Sequence, residues 1–246
     1  MREFDEEEDD EQIQQDLQLA ELAKRGATME EIAQLREPVA RTPEQAIRAL
    51  KIGNARFYGG RPLRQGYSPV ERRSQIIGQT PFAVVLGCSD SRVPTEYVFD
   101  QGPGQIFTVR VAGSIISPST AGSIEYAVKH LKPHALVVMG HEGCGAVHAA
   151  MTLTEEQARA EPENVRHLLE CIAPAVRNLP PIRDAKARMR EAVIASVRRQ
   201  VQLLKQNETV SDALSRDQIA VIGAYYEISS GAVDFLESDE DLRVDE

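Results

Sequence analysis

Short apolar runs alternate with stretches of helical periodicity along most of this chain. Phe82 to Leu86, flanked by Pro81 and Gly87, and Ala135 to Met139, followed by Gly140, carry no polar residue. Runs of this kind predict strands buried on both faces of a sheet. Gln105 to Val111 and Ile219 to Glu227 predict two further strands, and Ser229-Ser230-Gly231 turns the last into a hairpin with Ala232 to Leu236. Helical spacing fills the intervals. Thr42 precedes Pro43 at a first helical position, with Ala46, Ile47 and Leu50 on the inner face. Val93-Pro94 opens a short helix, and Ser119 and Thr120 cap a longer one in which Ile124, Ala127, Val128 and Leu131 recur at helical spacing before Pro133. Residues 145 to 215 read as a helical excursion divided at Pro162, Pro174 and Pro180-Pro181. Its last long helix, 184 to 206, aligns Met189, Val193, Val197, Val201 and Leu204. Strands alternating with helices predict an α/β fold: a central, mostly parallel sheet flanked by helices, with the C-terminal hairpin extending the sheet.

The 246 residues, 42% of them apolar, suit one large domain with appendages. Charge is uneven. Residues 1 to 11 and 237 to 246 together carry −12 of the net −10, leaving +2 on the rest. Residues 1 to 41 read as an acidic helical N-terminal extension, with a polar helix from Gln12 to Arg25 and a capping box at Thr28 and Glu31; it reads equally as an arm contacting a neighbouring subunit or another protein and as a loosely attached, solvated extension. Residues 42 to 236 form the main domain and 237 to 246 an acidic tail. Arg56, Arg61, Arg64, Arg72 and Arg73 cluster among glycines and prolines, as surface charge does. No basic stripe or aromatic-interleaved basic patch points to nucleic acid, and no apolar stretch is long enough to cross a bilayer. The opening residues do not resemble a signal peptide, and three cysteines imply no disulfide framework, so the expected compartment is the cytoplasm.

The chemistry gathers at two strand ends. Beyond the first run stand Cys88, Asp90 and Arg92; beyond the second, His141 and Cys144. Open parallel sheets hold ligands at that edge. Two thiols and an imidazole make a soft donor set suited to Zn²⁺, and the lack of a fourth soft ligand nearby leaves an open position, as in catalytic zinc sites. Either segment alone is as readily a buried core cysteine or a packing histidine; the paired occurrence makes the case. Gly102-x-Gly104 precedes a strand and is not a dinucleotide fingerprint. Too few residues separate Cys88 from Arg92 for a phosphate-cradling thiol loop.

Cys88-Ser-Asp90-Ser-Arg92-Val-Pro-Thr-Glu and Gly-His141-Glu-Gly-Cys144-Gly-Ala-Val resemble the two signature blocks of the β-class carbonic anhydrases. Further likeness lies in Gly53-Asn54-x-Arg56-Phe57, Gly78-Gln79-x-Pro81-Phe82-Ala, Phe99-Asp100-x-Gly102, Phe107-x-Val109-Arg110-Val-Ala-Gly113 and Gly122-Ser-Ile-Glu125-Tyr126-Ala-Val. It covers about residues 43 to 236. Two departures stand out: Ser114, where many members have Asn, and Val85 in a chain without tryptophan, where some members place a tryptophan of a non-catalytic bicarbonate pocket.

The resemblance implies zinc held by Cys88, His141 and Cys144, and reversible hydration of CO₂ to bicarbonate and a proton by zinc-bound hydroxide. Asp90 would orient that hydroxide and Arg92 would grip Asp90 in a bidentate fork. Gln79 matches a substrate-binding amide, and Phe107, Ala112 and Tyr126 match an apolar wall shared with an opposite subunit, implying a homodimer or larger oligomer. Hydrolysis of CS₂ or COS on the same site, or an inactive zinc-binding scaffold, are the alternatives. No role is assigned to His130, His134, His148, His167 or Cys171.

Overall fold

Thr42 caps the first helix as the sequence predicts. Its hydroxyl accepts the N–H of Gln45, Pro43 takes the first position, and α1 runs Pro43–Tyr58 with Ala46 and Leu50 buried. A cap of this type stabilises a helix by about 1 kcal/mol. The computed structural model describes residues 25, 39–63, 75, 76, 78–177 and 179–236. The chain divides into two units, one of Met1–Pro38 with Gln65–Thr80 and one of Val39–Arg64 with Pro81–Glu246. The helices expected between Gln12 and Pro38, the arginines at 64, 72 and 73, and the acidic tail lie outside the described residues. All the elements described here belong to the second unit.

After α1 the described order is β1 (Ala83–Gly87), α2 (Thr95–Val98), β2 (Ile106–Arg110), a 3₁₀ turn (Ala112–Ser114), α3 (Pro118–Tyr126) with a π-helical turn (Ala127–Leu131), β3 (Ala135–His141), α4 (Gly145–Thr152), α5 (Glu155–Ala160), α6 (Glu163–Val176), α7 (Ala185–Gln206), α8 (Glu208–Ser215), β4 (Ala220–Tyr226) and β5 (Val233–Leu236). The strands form one sheet in the order β2-β1-β3-β4-β5, parallel except for the antiparallel hairpin β4–β5. The fold is α/β, as expected.

Every residue of β1 and β3 is buried, which is why their sequences are unbroken apolar runs. Alternate side chains serve opposite faces. Val84, Leu86, Leu136 and Val138 join the core under α3, α4, α6, α7 and α8, whereas Ala83, Val85, Ala135 and Val137 join the core against α1 and α2. The long helix α7 sits close to the sheet because Gly140 offers no Cβ: one added there would lie 2.5 Å from Val193 Cγ1 and 2.7 Å from Val197 Cγ2.

Two boundaries differ from expectation. The cap of α3 is Ser117, two residues before Ser119, in a capping box with Thr120 at its third position. Pro118 takes the first helical place, a signal that the sequence carries in Ser117-Pro118. Pro174 does not divide the excursion but lies inside α6 near its end, where burial of Leu169, Ile172, Ala173 and Val176 outweighs one lost backbone bond.

Candidate metal centre

The chain leaves β1 toward β2 on one side of the sheet and returns as β3 on the other, so the strand order reverses between β1 and β3. A crevice outside the C-terminal strand ends opens at such a point. Cys88 follows β1, His141 ends β3, and Cys144 caps α4. Topology therefore converges three residues distant in sequence on one spot. Their ligand atoms lie within 4.8 Å of one another and all three residues are buried, a spacing that one ion with bonds of about 2.0–2.3 Å can span.

The imidazole tests the fit. Its ring is fully buried, and Nδ1 lies 3.0 Å from the backbone oxygen of Glu142. A carbonyl only accepts, so Nδ1 carries the hydrogen and Nε2 keeps a free lone pair. Nε2 is buried and, among the described residues, has no hydrogen-bond partner. An orphaned buried polar atom costs about 1–3 kcal/mol, and one facing two thiols fits a metal ligand. The thiols agree. Accepting a hydrogen bond from Cys144 pulls the Cys88 pKa down to about 4, with His141 and the Gly113 N–H adding to the effect against burial. Cys144 is pushed up by giving that bond, by burial and by the Cys88 charge. A cation bound between the two sulfurs would favour the thiolate form of both.

The sequence did not single out the groups that hold the two cysteine loops. The Gly113 N–H donates to Cys88 Sγ at 3.4 Å. That position requires glycine, since its φ is +75° and a Cβ would lie 2.5 Å from Ile172 Cδ1. Ser114, the residue that departs from the family pattern, is also left-handed at φ 52° and donates from its hydroxyl to the Met139 oxygen at 2.9 Å, tying the turn to β3. Arg110 donates to the Cys88 oxygen at 2.9 Å and to the Asp90 oxygen at 2.5 Å. Its place at the end of a predicted strand, inside a block resembling the family, was the signal for it in the sequence.

Asp90 and Arg92 come together as a fork. Arg92 Nε donates to Oδ1 at 2.9 Å and Nη2 to Oδ2 at 2.8 Å, while the Arg92 backbone N–H reaches Oδ1 at 2.9 Å. The Asp90 carboxyl is held well below the usual carboxylate range, first by the Arg92 side chain and against the opposing effect of burial. Oδ2 also stands 4.0 Å from His141 Nε2. Of the other predicted site residues, Phe107 on β2 and Tyr126 at the end of α3 approach each other, ring centroids 6.4 Å apart, and Tyr126 is half exposed. Ala112 opens the turn that carries Gly113 and is partly exposed. Gln79 is exposed and belongs to the other unit. His130 stacks on Tyr126 at 5.1 Å, and His134 Nδ1 lies 3.2 Å from the Gln218 oxygen, at the opposite strand ends.

A parallel α/β sheet with a buried Cys–His–Cys set at its switch point defines a zinc-site protein. The comparisons make the class specific. The family model described as carbonic anhydrase matches residues 83–233. Carbonic anhydrase 2 of Mycobacterium tuberculosis is 39% identical over 190 residues, covering 77% of this chain and 90% of that protein. The carbonic anhydrase of Mycolicibacterium smegmatis is 38% identical over 193 residues, covering 78% and 92%. Among solved structures, a tetrameric β-carbonic anhydrase of Sordaria macrospora superposes with a TM-score of 0.64 at 28% identity, covering 70% of this chain and 88% of that one. The chain belongs to the carbonic anhydrase family, in its β class. That family is zinc-dependent, and the Cys88, His141 and Cys144 set is this chain's zinc site.

Proposed function

We propose that the chain catalyses the reversible hydration of CO₂ to bicarbonate and a proton. The observation that carries this reading is the buried His141 Nε2, without a hydrogen-bond partner among the described residues, set between two thiols and 4.0 Å from a carboxylate already gripped by arginine. Zinc in such a set supplies Lewis acidity, making hydroxide available near neutral pH. Asp90 accepts a hydrogen bond from the attacking oxygen and turns a lone pair toward the carbon of CO₂. Arg92 occupies both carboxylate oxygens, so Asp90 serves the nucleophile and is restrained from binding the metal itself. CO₂ is linear, uncharged and weakly solvated, and an apolar wall of Phe107, Ala112 and Tyr126 suits it.

Tyr126, half exposed beside the open edge of β2, supports a homodimeric arrangement in which part of this wall meets a second copy. A site that depends on reduced thiols supports a cytoplasmic setting; among the described residues no helix is long and apolar enough to cross a membrane. The test is stopped-flow CO₂ hydration on zinc-quantified protein, expected to give kcat/KM of roughly 10⁴–10⁸ M⁻¹s⁻¹. A rate equal to the uncatalysed one at full zinc occupancy would overturn the reading.

A further inference from the structure

His141 is the last residue of β3, and the residue after it is fastened at four points. The Glu142 N–H donates to the Tyr226 oxygen on β4 at 2.9 Å. Its carbonyl oxygen lies 3.0 Å from His141 Nδ1. Its carboxylate accepts the Ser229 N–H at 3.0 Å, in the turn between β4 and β5, and Lys186 Nζ at the start of α7 stands 3.3 Å from the other carboxylate oxygen. The side chain is thus directed at the hairpin and is not part of the Cys–His–Cys set.

Packing does not fix this turn by itself. Gly143, the next residue, has φ +66° and, among the described residues, nothing within 4 Å of its Cβ direction. A peptide between a strand end and such a glycine can tilt, and tilting would swing the carbonyl that orients the imidazole. Partners of this kind set both the tautomer and the ring angle of a metal-binding histidine.

We propose that Glu142 is a positioning residue for the zinc site: its carboxylate, anchored on Ser229, holds its own carbonyl against Nδ1 of His141 and so aims Nε2 at Cys88 and Cys144. The hydrogen bond to the Ser229 N–H does most of this, because the side chain is long enough to reach it and its acceptor is only 22% exposed. The Lys186 contact adds little, since that side chain is 76% exposed and screened by solvent. The proposal rests on Cys88, His141 and Cys144 being the zinc ligands.

The test is zinc affinity by competition with a chromophoric chelator, with the visible spectrum of the cobalt-substituted protein as a second readout. Glu142→Ala is expected to weaken zinc binding by about 10- to 100-fold and to change the cobalt spectrum. Glu142→Gln keeps the length and an acceptor for Ser229 and should bind zinc within about 3-fold of wild type, whereas Glu142→Asp keeps the charge but falls short and should resemble Ala. Lys186→Ala should change affinity by less than about 2-fold. Wild-type affinity and spectrum in Glu142→Ala overturn the proposal. If Glu142→Ala does not fold, Gln and Asp decide, and an Asp variant that binds zinc as tightly as Gln or more so overturns it. Cys88→Ser in the same assay separates the two readings: full zinc occupancy there refutes the ligand set, while loss there with an unchanged Glu142→Ala refutes only the role of Glu142.

Discussion

The Asp90 carboxylate is claimed twice: both oxygens are hydrogen-bonded to the Arg92 guanidinium at 2.8–2.9 Å, yet one of them also stands 4.0 Å from His141 Nε2. It is therefore near enough to reach a metal and restrained from doing so. Arg92→Ala removes the restraint without removing a ligand. Zinc content is expected to stay at one per chain while kcat/KM for CO₂ hydration falls by about 10- to 100-fold. Arg92→Lys should recover only part, because an ammonium cannot supply two parallel donors. Near-wild-type rates in Arg92→Ala at matched zinc content would show that the fork has no catalytic consequence.

The same pair has a pH signature. Arg92 holds the Asp90 carboxyl below its ordinary value, so its pKa is lower folded than unfolded. Such a group stabilises the fold above its unfolded pKa, about 3.9, and loses that contribution as pH falls through the folded value. Urea unfolding followed downward from about pH 6 should show a shallower acid decline for Asp90→Asn than for wild type at equal zinc occupancy. Parallel declines would mean that the fork adds nothing to acid stability.

Gly140 predicts a packing effect next to the site. Alanine there drives a methyl into Val193 and Val197, whose β-branched side chains have few rotamers in which to retreat. Gly140→Ala should destabilise the fold by about 1–3 kcal/mol in denaturant titrations. Gly122→Ala, within α3, meets nothing within 4 Å among the described residues and should be neutral or stabilising by up to about 1 kcal/mol. Equal effects at both positions would rule out close approach of α7 as the cause.

Light scattering checks the oligomeric assignment. A mass of at least two chains is expected at assay concentration, and Tyr126→Arg should shift it toward one, because a charge would then have to be buried at the shared wall. A fully active single chain of wild-type sequence excludes the dimer.

The sequence alone determined the strand cores, the α/β class and the zinc donor set. Fully buried parallel strands need unbroken apolar runs, and Phe82–Leu86 and Ala135–Met139 are such runs, with Cys88, His141 and Cys144 immediately beyond them. Local chemistry also set the start of α1 through Thr42 and Pro43. Helix ends were less legible. Ser117 rather than Ser119 caps α3, a choice between neighbouring hydroxyls, and Pro174 is carried inside α6 by burial that no local propensity encodes. Only the tertiary structure decided what surrounds the donors: the Gly113 N–H on Cys88, the Arg110 grip on the Cys88–Asp90 loop, and the Glu142 link to Ser229. Those contacts join residues from 20 to 87 positions apart. A backbone N–H or carbonyl belongs to every residue and leaves no mark in composition or periodicity, so its partner is fixed only when the chain has folded.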